Sequence, residues 1–258
     1  GRTLPAAVTN ALCRPRGDVI LTQIKEFHYP TLGPGMMWEK VTELVREAGS
    51  SVEMGSEVIR IVRDKDRILG VDLSAPQIKI NKKGTDFFST MPLNELISRI
   101  DPAPPVEVID AANGLRYRDF LTVVLILDID DMFDDNWVYI HSPDVKVGRI
   151  QNFKNWSMDM VPDGSTTSLG LEYFCNEGDG LWNMSDSDLL ELGTIEIEQF
   201  GLAAKVNVLD GVVVRQQKAY PVYDAVYGPL LATVQQWVAE LSNFHTIGRN
   251  CLLYTSDA

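Results

Sequence analysis

The longest largely apolar run in the chain is Phe120–Leu127, with the sequence FLTVVLIL. Its length and its β-branched side chains match a buried β-strand, and it falls well short of the roughly 20 residues that span a bilayer. Three runs of similar composition follow it, separated by Asp, Asn, Gly and Pro residues: Trp137–His141, Val147–Phe153 and Ser168–Phe174. Short strands divided by such turn-forming residues predict an antiparallel sheet.

The segments on either side of this sheet mix helical and strand patterns. Met36–Ala48 carries apolar residues at helical spacing, and Gly49 follows where a left-handed C-terminal cap would lie. Ser56–Val62 and Ile68–Leu73 flank a charged turn, which predicts a β-hairpin. The remaining predicted elements are strand Phe87–Thr90, helix Leu93–Ile100, helix Ser185–Phe200, strand Val206–Val214, helix Leu230–Leu241 and strand Phe244–Ile247.

A proline-rich segment, Asp101–Pro105, divides the chain. Consecutive prolines stop both a helix and a central strand, so we expect a domain boundary at this segment. The fold class predicted from these patterns is α/β, with a second domain of the α+β type built on the antiparallel sheet.

Composition excludes several classes of function. The formal net charge is −13, from 36 acidic and 23 basic residues, which disfavours a protein that binds nucleic acid through its phosphates. The three cysteines and three histidines are scattered, without the spacing of a zinc site or a disulfide framework. We therefore expect no metal site, no nucleic-acid partner and no transmembrane segment, and a reduced, cytoplasmic environment.

The segment Phe27–Glu39, with the sequence FHYPTLGPGMMWE, resembles a YP-x-x-GPG-x-x-W-E motif. That motif belongs to a bacterial group of flavoproteins related to amine oxidases, protoporphyrinogen oxidases and UDP-galactopyranose mutases. The resemblance implies FAD contacts at Gly33, Gly35 and Met36, since glycines let the backbone approach a bulky ligand. It also implies a substrate contact at Tyr29.

Three further segments are similar to the same family. Val58 stands where the family's strand contacts the adenine side of FAD through its backbone, and Thr90 and Pro92 match a strand end that passes near the cofactor. The segment Thr246–Asn250 resembles the start of a GR-x-G motif that closes over the flavin, which implies FAD contacts at Gly248, Arg249 and Asn250. Cys251 departs from this motif, because the family has Gly there.

Two aromatic segments resemble the family's substrate domain. They are Leu171–Phe174 and Ala219–Tyr223, and they imply substrate contacts at Tyr173, Tyr220 and Tyr223. Aromatic walls suit a flat ring and exclude water from a hydride-transfer site. The alternative is that these tyrosines are packing residues with solvated hydroxyls.

The 258 residues contain no G-x-G-x-x-G turn of the kind that binds a dinucleotide pyrophosphate. The resemblance therefore implies an internal fragment: a partial FAD-binding, Rossmann-like domain with an inserted substrate domain. The implied divisions are a remnant of a helical substrate segment (1–24), the second FAD-binding segment (25–100), the substrate-binding domain (101–240), a truncated last FAD-binding segment (241–250) and an artefactual tail (251–258).

The activity implied is that of an FAD-dependent oxidoreductase that transfers a hydride from a small organic substrate to flavin, with the fragment itself expected to be inactive. No paired carboxylates or nucleophile–base set stands out, so no catalytic residue is assigned. One alternative is a mutase-like flavoenzyme acting on a nucleotide sugar, for which the scattered Arg118, Arg149 and Arg215 are too few to decide. A second alternative is a binding module without catalysis.

Overall fold

The computed structural model describes residues 28–75 and 78–249. Helices and strands mix along this part of the chain. The helices of one turn or more are α1 (Pro34–Glu47), α2 (Leu93–Arg99), α3 (Val106–Gly114), α4 (Phe153–Trp156), α5 (Asp186–Gln199) and α6 (Tyr227–Val238). The strands are β1 (Glu57–Asp64), β2 (Arg67–Ala75), β3 (Ile78–Lys83), β4 (Phe87–Ser89), β5 (Ile100–Asp101), β6 (Tyr117–Leu127), β7 (Trp137–Tyr139), β8 (Arg149–Asn152), β9 (Thr167–Cys175), β10 (Val208–Pro221) and β11 (Phe244–Thr246).

The predicted hairpin is the centre of a four-stranded sheet in the order β3-β2-β1-β5. β1 and β2 pair antiparallel on either side of the turn at Lys65, whose φ is 52°. The short strand β5, which the sequence patterns did not predict, adds to β1 in parallel through Ile61 and Ile100. The helix α1 precedes the hairpin, and Gly49 follows it with φ 82°, as the sequence predicts for a left-handed cap.

Three helices complete the first hydrophobic core. α2, α3 and α6 bury their apolar residues against β1 and β2, among them Leu96, Ala112 and Val234. Pro105 is the residue before α3, a position at which proline is compatible with a helix start, so the proline-rich segment ends one element and begins another. Both α3 and α6 lie within residues 101–240, and they share this core with α2, β1 and β2 from the segment before residue 101.

The second core is formed by a five-stranded antiparallel sheet in the order β10-β6-β9-β8-β7, which confirms the predicted sheet. Alternate residues of β6 are buried, from Leu121 to Leu127, and they face α5. A Cβ at Gly193 of α5 would lie 3.2 Å from Val123, so this glycine lets the helix approach the sheet closely. Ser185 caps α5 through its side chain, which accepts a hydrogen bond from the amide of Asp188.

The last strand, β11, pairs in parallel with β4, with Phe244 opposite Phe87 and Thr246 opposite Ser89. The buried side chain of Asn243 fixes this pair to β2, because its amide group donates to the carbonyls of Ile68 and Thr85 and its oxygen accepts from the amide of Ile68. Residues 90 and 248 therefore emerge side by side from the carboxyl ends of two parallel strands.

In the part of the chain that the structure describes, no helix combines the length and the apolar character needed to cross a bilayer.

Candidate functional site

Two cavities lie on either side of Tyr220, which contributes to the walls of both. The first cavity has a volume of about 540 Å³, and Pro92, Glu95, Lys218 and Arg249 line it together with Tyr220. The second cavity has a volume of about 480 Å³ and lies over the face of the five-stranded sheet that α5 does not cover. Its walls include Arg118, Tyr139, Arg149, Phe174 and Tyr220.

The first cavity opens at the carboxyl ends of β4 and β11. Thr90 and Pro92 follow β4, and Gly248 and Arg249 follow β11, so the parallel pairing brings four of the predicted cofactor-binding residues to one place. Gly248 has φ 90°, a conformation that favours glycine, and a Cβ on it would lie 3.9 Å from Thr90. Ligands of α/β proteins commonly bind outside the carboxyl ends of parallel strands.

Tyr220 reaches the first cavity from the other sheet. The guanidinium of Arg249 lies over the Tyr220 ring, with its carbon 5.1 Å from the ring centre. Residues predicted to hold the cofactor, Pro92 and Arg249, and a residue predicted to contact substrate, Tyr220, thus line one cavity although they are far apart in the sequence.

A bulge in β10 sets the position of Tyr220. The register with β6 is interrupted between Gln216, opposite Phe120, and Tyr220, opposite Arg118. Lys218 lies in this bulge with φ 49°, and its amide donates a 2.7 Å hydrogen bond to the buried carboxylate of Asp119. Bulges of this kind redirect the side chains that follow them.

A buried carboxylate holds Arg149, which lines the second cavity. The carboxylate of Glu172, which is 1% exposed, accepts hydrogen bonds from Nε of Arg149 and from the side-chain amide of Gln151. The hydrogen bond with Glu172 raises the pKa of Arg149, although burial of the guanidinium opposes this. The guanidinium also lies over the ring of Tyr139, at 5.7 Å. Glu172 thereby fixes the orientation of Arg149 at the cavity wall.

Phe174 and Tyr220 line the second cavity, and the ring of Phe120, which lines the first cavity, contacts both of them. The rings of Phe120 and Phe174 are 5.7 Å apart, and Phe120 meets Tyr220 edge to face at 6.1 Å. A Cβ at Gly148 would lie 2.8 Å from the Phe174 ring, so Gly148 provides the space that this ring occupies. The cavity therefore combines apolar aromatic walls with the guanidinium groups of Arg118 and Arg149.

Tyr173 does not belong to either wall. It is fully buried on the face of the sheet covered by α5, and its hydroxyl donates a 2.9 Å hydrogen bond to Glu196 of that helix. Burial raises the pKa of Tyr173, and the charge of Glu196 raises it further. The structure therefore does not bring Tyr173 to either cavity, because neighbouring residues of a strand point to opposite faces and its neighbour Phe174 takes the cavity side.

Tyr29 and Gly33 pack against the segment that follows β8. The Tyr29 ring lies 4.9 Å from the ring of Trp156, its hydroxyl lies 3.6 Å from the sulfur of Met160, and burial raises its pKa. Gly33 has φ 85°, and a Cβ on it would meet Met160 at 3.4 Å. Neither residue lines the two cavities, so the structure does not bring Tyr29 together with Tyr220.

Gly35 and Met36 lie in the first turn of α1. A Cβ at Gly35 would meet no atom within 4 Å, and the Met36 side chain is exposed. The space beside this turn is therefore open in the described part of the chain.

The other predicted contacts are more dispersed. The carbonyl of Val58 accepts a hydrogen bond from Arg99, and its side chain packs against the first core. Tyr223 is exposed and meets the ring of Tyr227 edge to face at 5.0 Å. Asn250 lies outside the described residues.

Two carboxylates that could be considered as bases are already held by arginines. Glu172 pairs with Arg149, and Asp224 pairs with Arg116. The hydrogen bond from Arg116 lowers the pKa of Asp224 below its usual value. Within the described residues, no group of His, Cys, Asp and Glu side chains is arranged to hold a metal ion.

The sequence pointed to Arg118 and Arg149 only for the nucleotide-sugar alternative, and it assigned no role to Tyr139, Lys218 or Glu95. Arg118, Tyr139 and Arg149 come from three strands, and only the register of the sheet reveals that they meet. Lys218 lies in β10 of the second sheet and Glu95 lies in α2 of the first core. Their side chains form an ion pair at the first cavity. Alternation along β7 and β8 indicates which residues share a face, but it does not indicate which face lines a cavity.

Comparison with known proteins identifies the fold without identifying a family. No protein-family model matches the sequence, and no curated protein matches it. Solved structures do match. A reduced UDP-galactopyranose mutase aligns with a TM-score of 0.72 at 17% identity, covering 86% of this chain and 47% of that one.

Two oxidoreductase structures also align with most of this chain over about half of their own length. A protein from Exiguobacterium sp. 255-15, provisionally described as a protoporphyrinogen oxidase, aligns with a TM-score of 0.64 at 15% identity, covering 84% of this chain and 46% of that one. An oxidoreductase from Methanosarcina mazei aligns with a TM-score of 0.52 at 9% identity, covering 84% of this chain and 49% of that one. The chain thus shares their mixed α/β fold and spans about half the length of each.

Proposed function

We propose that this chain is the substrate-binding portion of an FAD-dependent oxidoreductase, in which the first cavity receives the reactive end of the flavin and the second cavity receives the substrate. The observation that carries the proposal is the meeting of Pro92, Arg249 and Tyr220 in one cavity at the ends of two parallel strands. The fold shared with oxidoreductases is consistent with this function, although fold alone does not specify a reaction.

The residues present fit part of an FAD molecule. Thr90, Pro92, Gly248 and Arg249 would hold it beside the strand ends, where a side chain at position 248 would approach Thr90. Gly35 leaves open space beside α1. The pyrophosphate would need a further phosphate-binding turn, because the sequence contains no G-x-G-x-x-G motif.

When bound, the flavin would supply the acceptor for a hydride from an organic substrate. The chain's own residues would position that substrate and exclude water. Tyr220 separates the two cavities, and Phe174 and Tyr139 would flank a flat substrate in the second. Arg149, oriented by the buried Glu172, would bind an electronegative group of the substrate. None of these roles needs a proton transfer from the chain, which agrees with the absence of an unpaired carboxylate among the lining residues named above.

A second candidate is a mutase-like flavoenzyme that acts on a nucleotide sugar. The observation in its favour is that Arg118 and Arg149 line one cavity, whereas Arg215 binds Asp186 at the start of α5. A diphosphate needs such guanidinium groups, because they donate paired hydrogen bonds to its oxygens. This enzyme would turn over without consuming an electron acceptor, and the oxidoreductase would consume one equivalent per substrate.

The proposal is tested by purifying the natural protein that contains this chain together with the sequence on either side of it. We expect a yellow protein with one flavin per chain, whose visible absorbance bleaches when a reductant is added. A folded protein that stays colourless after incubation with FAD would contradict the proposal and favour a binding module without catalysis.

A further inference from the structure

We propose that Lys218 is a positioning residue that sets the width of the first cavity by clamping β10 to α2. This contact would fix the distance between α2 of the first core and β10 of the second sheet, whichever ligand the cavity receives.

The two cores are separate clusters, and β6 and β10 of the second sheet reach α2 of the first core beside the first cavity, where Tyr117 of β6 itself packs against the first core. The amide of Leu93, at the start of α2, donates a 3.1 Å hydrogen bond to the hydroxyl of Tyr117 at the start of β6. The ammonium group of Lys218 forms an ion pair with the carboxylate of Glu95, two residues further along α2. The cavity therefore lies between two walls whose separation depends on these contacts.

The backbone of Lys218 is the first reason to assign a role to its side chain. Its φ of 49° belongs to the left-handed region, where glycine is favoured and residues with a Cβ are disfavoured. Its amide is held by Asp119, whose other oxygen accepts a hydrogen bond from the amide of Glu177. The surrounding structure thus enforces a conformation that a lysine adopts at a cost, and the long side chain supplies the compensating contact.

The ion pair is the second reason. The side chains of Lys218 and Glu95 are 28% and 31% exposed, so solvent and salt screen them less than a surface pair. Glu95 is also paired with Arg99, which donates to the carbonyl of Val58 in β1. A continuous set of charged contacts therefore runs from the bulge of β10 through α2 to the four-stranded sheet.

The position of Lys218 relates this clamp to the site. Tyr220 is two residues further along β10, and Pro92 immediately precedes α2. Movement of β10 relative to α2 would change the separation between Tyr220 and Pro92, which both line the first cavity.

The test is hydrogen exchange of the natural protein that contains this chain, followed at the amide of Leu93 and at the start of β6, with α5 and α6 as references for the two cores. Lys218→Gly removes the ammonium group while relieving the left-handed backbone, and Glu95→Gln removes its partner. Lys65→Gly is the matched control, because Lys65 has φ 52° in an exposed turn far from the cavity in sequence. Lys218→Arg keeps the charge and is the rescue.

We expect Lys218→Gly and Glu95→Gln each to accelerate exchange at Leu93 roughly two- to fivefold, as for the loss of one partly screened ion pair. The double variant should exchange no faster than Glu95→Gln, since that single variant already removes the Lys218–Glu95 ion pair together with the Glu95–Arg99 pair. Lys218→Arg and Lys65→Gly should exchange like the unmodified chain, and α5 and α6 should be unaffected throughout.

Three results would overturn the proposal. Exchange at Leu93 could be unchanged in Lys218→Gly, exchange in Lys218→Arg could be as fast as in Lys218→Gly, or exchange could rise equally in α5 and α6. The last result would show that Lys218 contributes to global stability and does not set the separation between β10 and α2.

Discussion

Replacing Tyr173 by Phe separates its structural role from the substrate contact that the family resemblance implies. The hydroxyl of Tyr173 is buried and donates to the carboxylate of Glu196, which is 3% exposed. The same carboxylate accepts hydrogen bonds from the amides of Lys146 and Val147, at 2.6 and 3.2 Å. Glu196 therefore joins α5 to β9 and to the loop before β8.

The expected cost follows from these contacts. A hydrogen bond to a charged group contributes about 1.5–3 kcal/mol to the free energy of unfolding. Tyr173→Phe removes one such bond without creating a cavity, and Glu196 keeps its two amide donors. We therefore expect the free energy of unfolding of the second core to fall by about 2 kcal/mol.

The assay is urea unfolding, and hydrogen exchange in α5 is the probe, because this helix belongs to the second core. Tyr223→Phe is the control, because Tyr223 is exposed and its loss of a hydroxyl should change stability by less than about 0.5 kcal/mol. A Tyr173→Phe protein as stable as the control would refute the argument that the buried hydrogen bond explains the position of Tyr173.

Three further predictions concern Gly35, Tyr220 and Cys175. Gly35→Val should abolish flavin retention by the natural protein, whereas Gly228→Val should not. Gly228 is the matched control, because both glycines occupy the second position of a helix and neither has an atom within 4 Å of its Cβ position. Equal flavin content in the two variants would show that no ligand approaches Gly35. Tyr220→Ala should slow reduction of the flavin by substrate while flavin stays bound, and an unchanged rate in stopped-flow absorbance would make Tyr220 a packing residue. Burial raises the pKa of the Cys175 thiol to about 11, above its unfolded value of about 8.5, so its contribution to stability is present below about pH 8.5 and is lost as the pH rises toward 11. Alkylation of Cys175, followed by peptide mass spectrometry, should therefore track unfolding, and rapid alkylation of the native chain at pH 8 would contradict this.

The elements with clear periodicity could be predicted from the sequence. The hairpin of β1 and β2, the strands from β6 to β9 and the capped helix α5 lie within a few residues of their predicted bounds. α3 was missed because its apolar positions directly follow three prolines within five residues, and proline marks a helix start as well as a helix end. β5 is two residues long and is defined by its partner β1, so no local pattern could reveal it.

The site was less predictable because it depends on which face of the second sheet is covered. β9 is buried along almost its whole length, so its sequence does not show the alternation that would have separated Tyr173 from Phe174. Pro92, Tyr220 and Arg249 were identified by resemblance, but their meeting depends on the parallel pairing of β4 with β11 and on the bulge at Lys218. Neither feature has a signal in the local sequence.

The most direct test of the proposed site is differential hydrogen exchange of the natural protein with and without FAD. We predict that FAD slows exchange in the residues after β4 and β11, from Thr90 to Glu95 and at Gly248 and Arg249, and in the bulge of β10 around Tyr220. Bound flavin that leaves all three segments unprotected would contradict the assignment of the first cavity as the place where the cofactor meets the substrate domain.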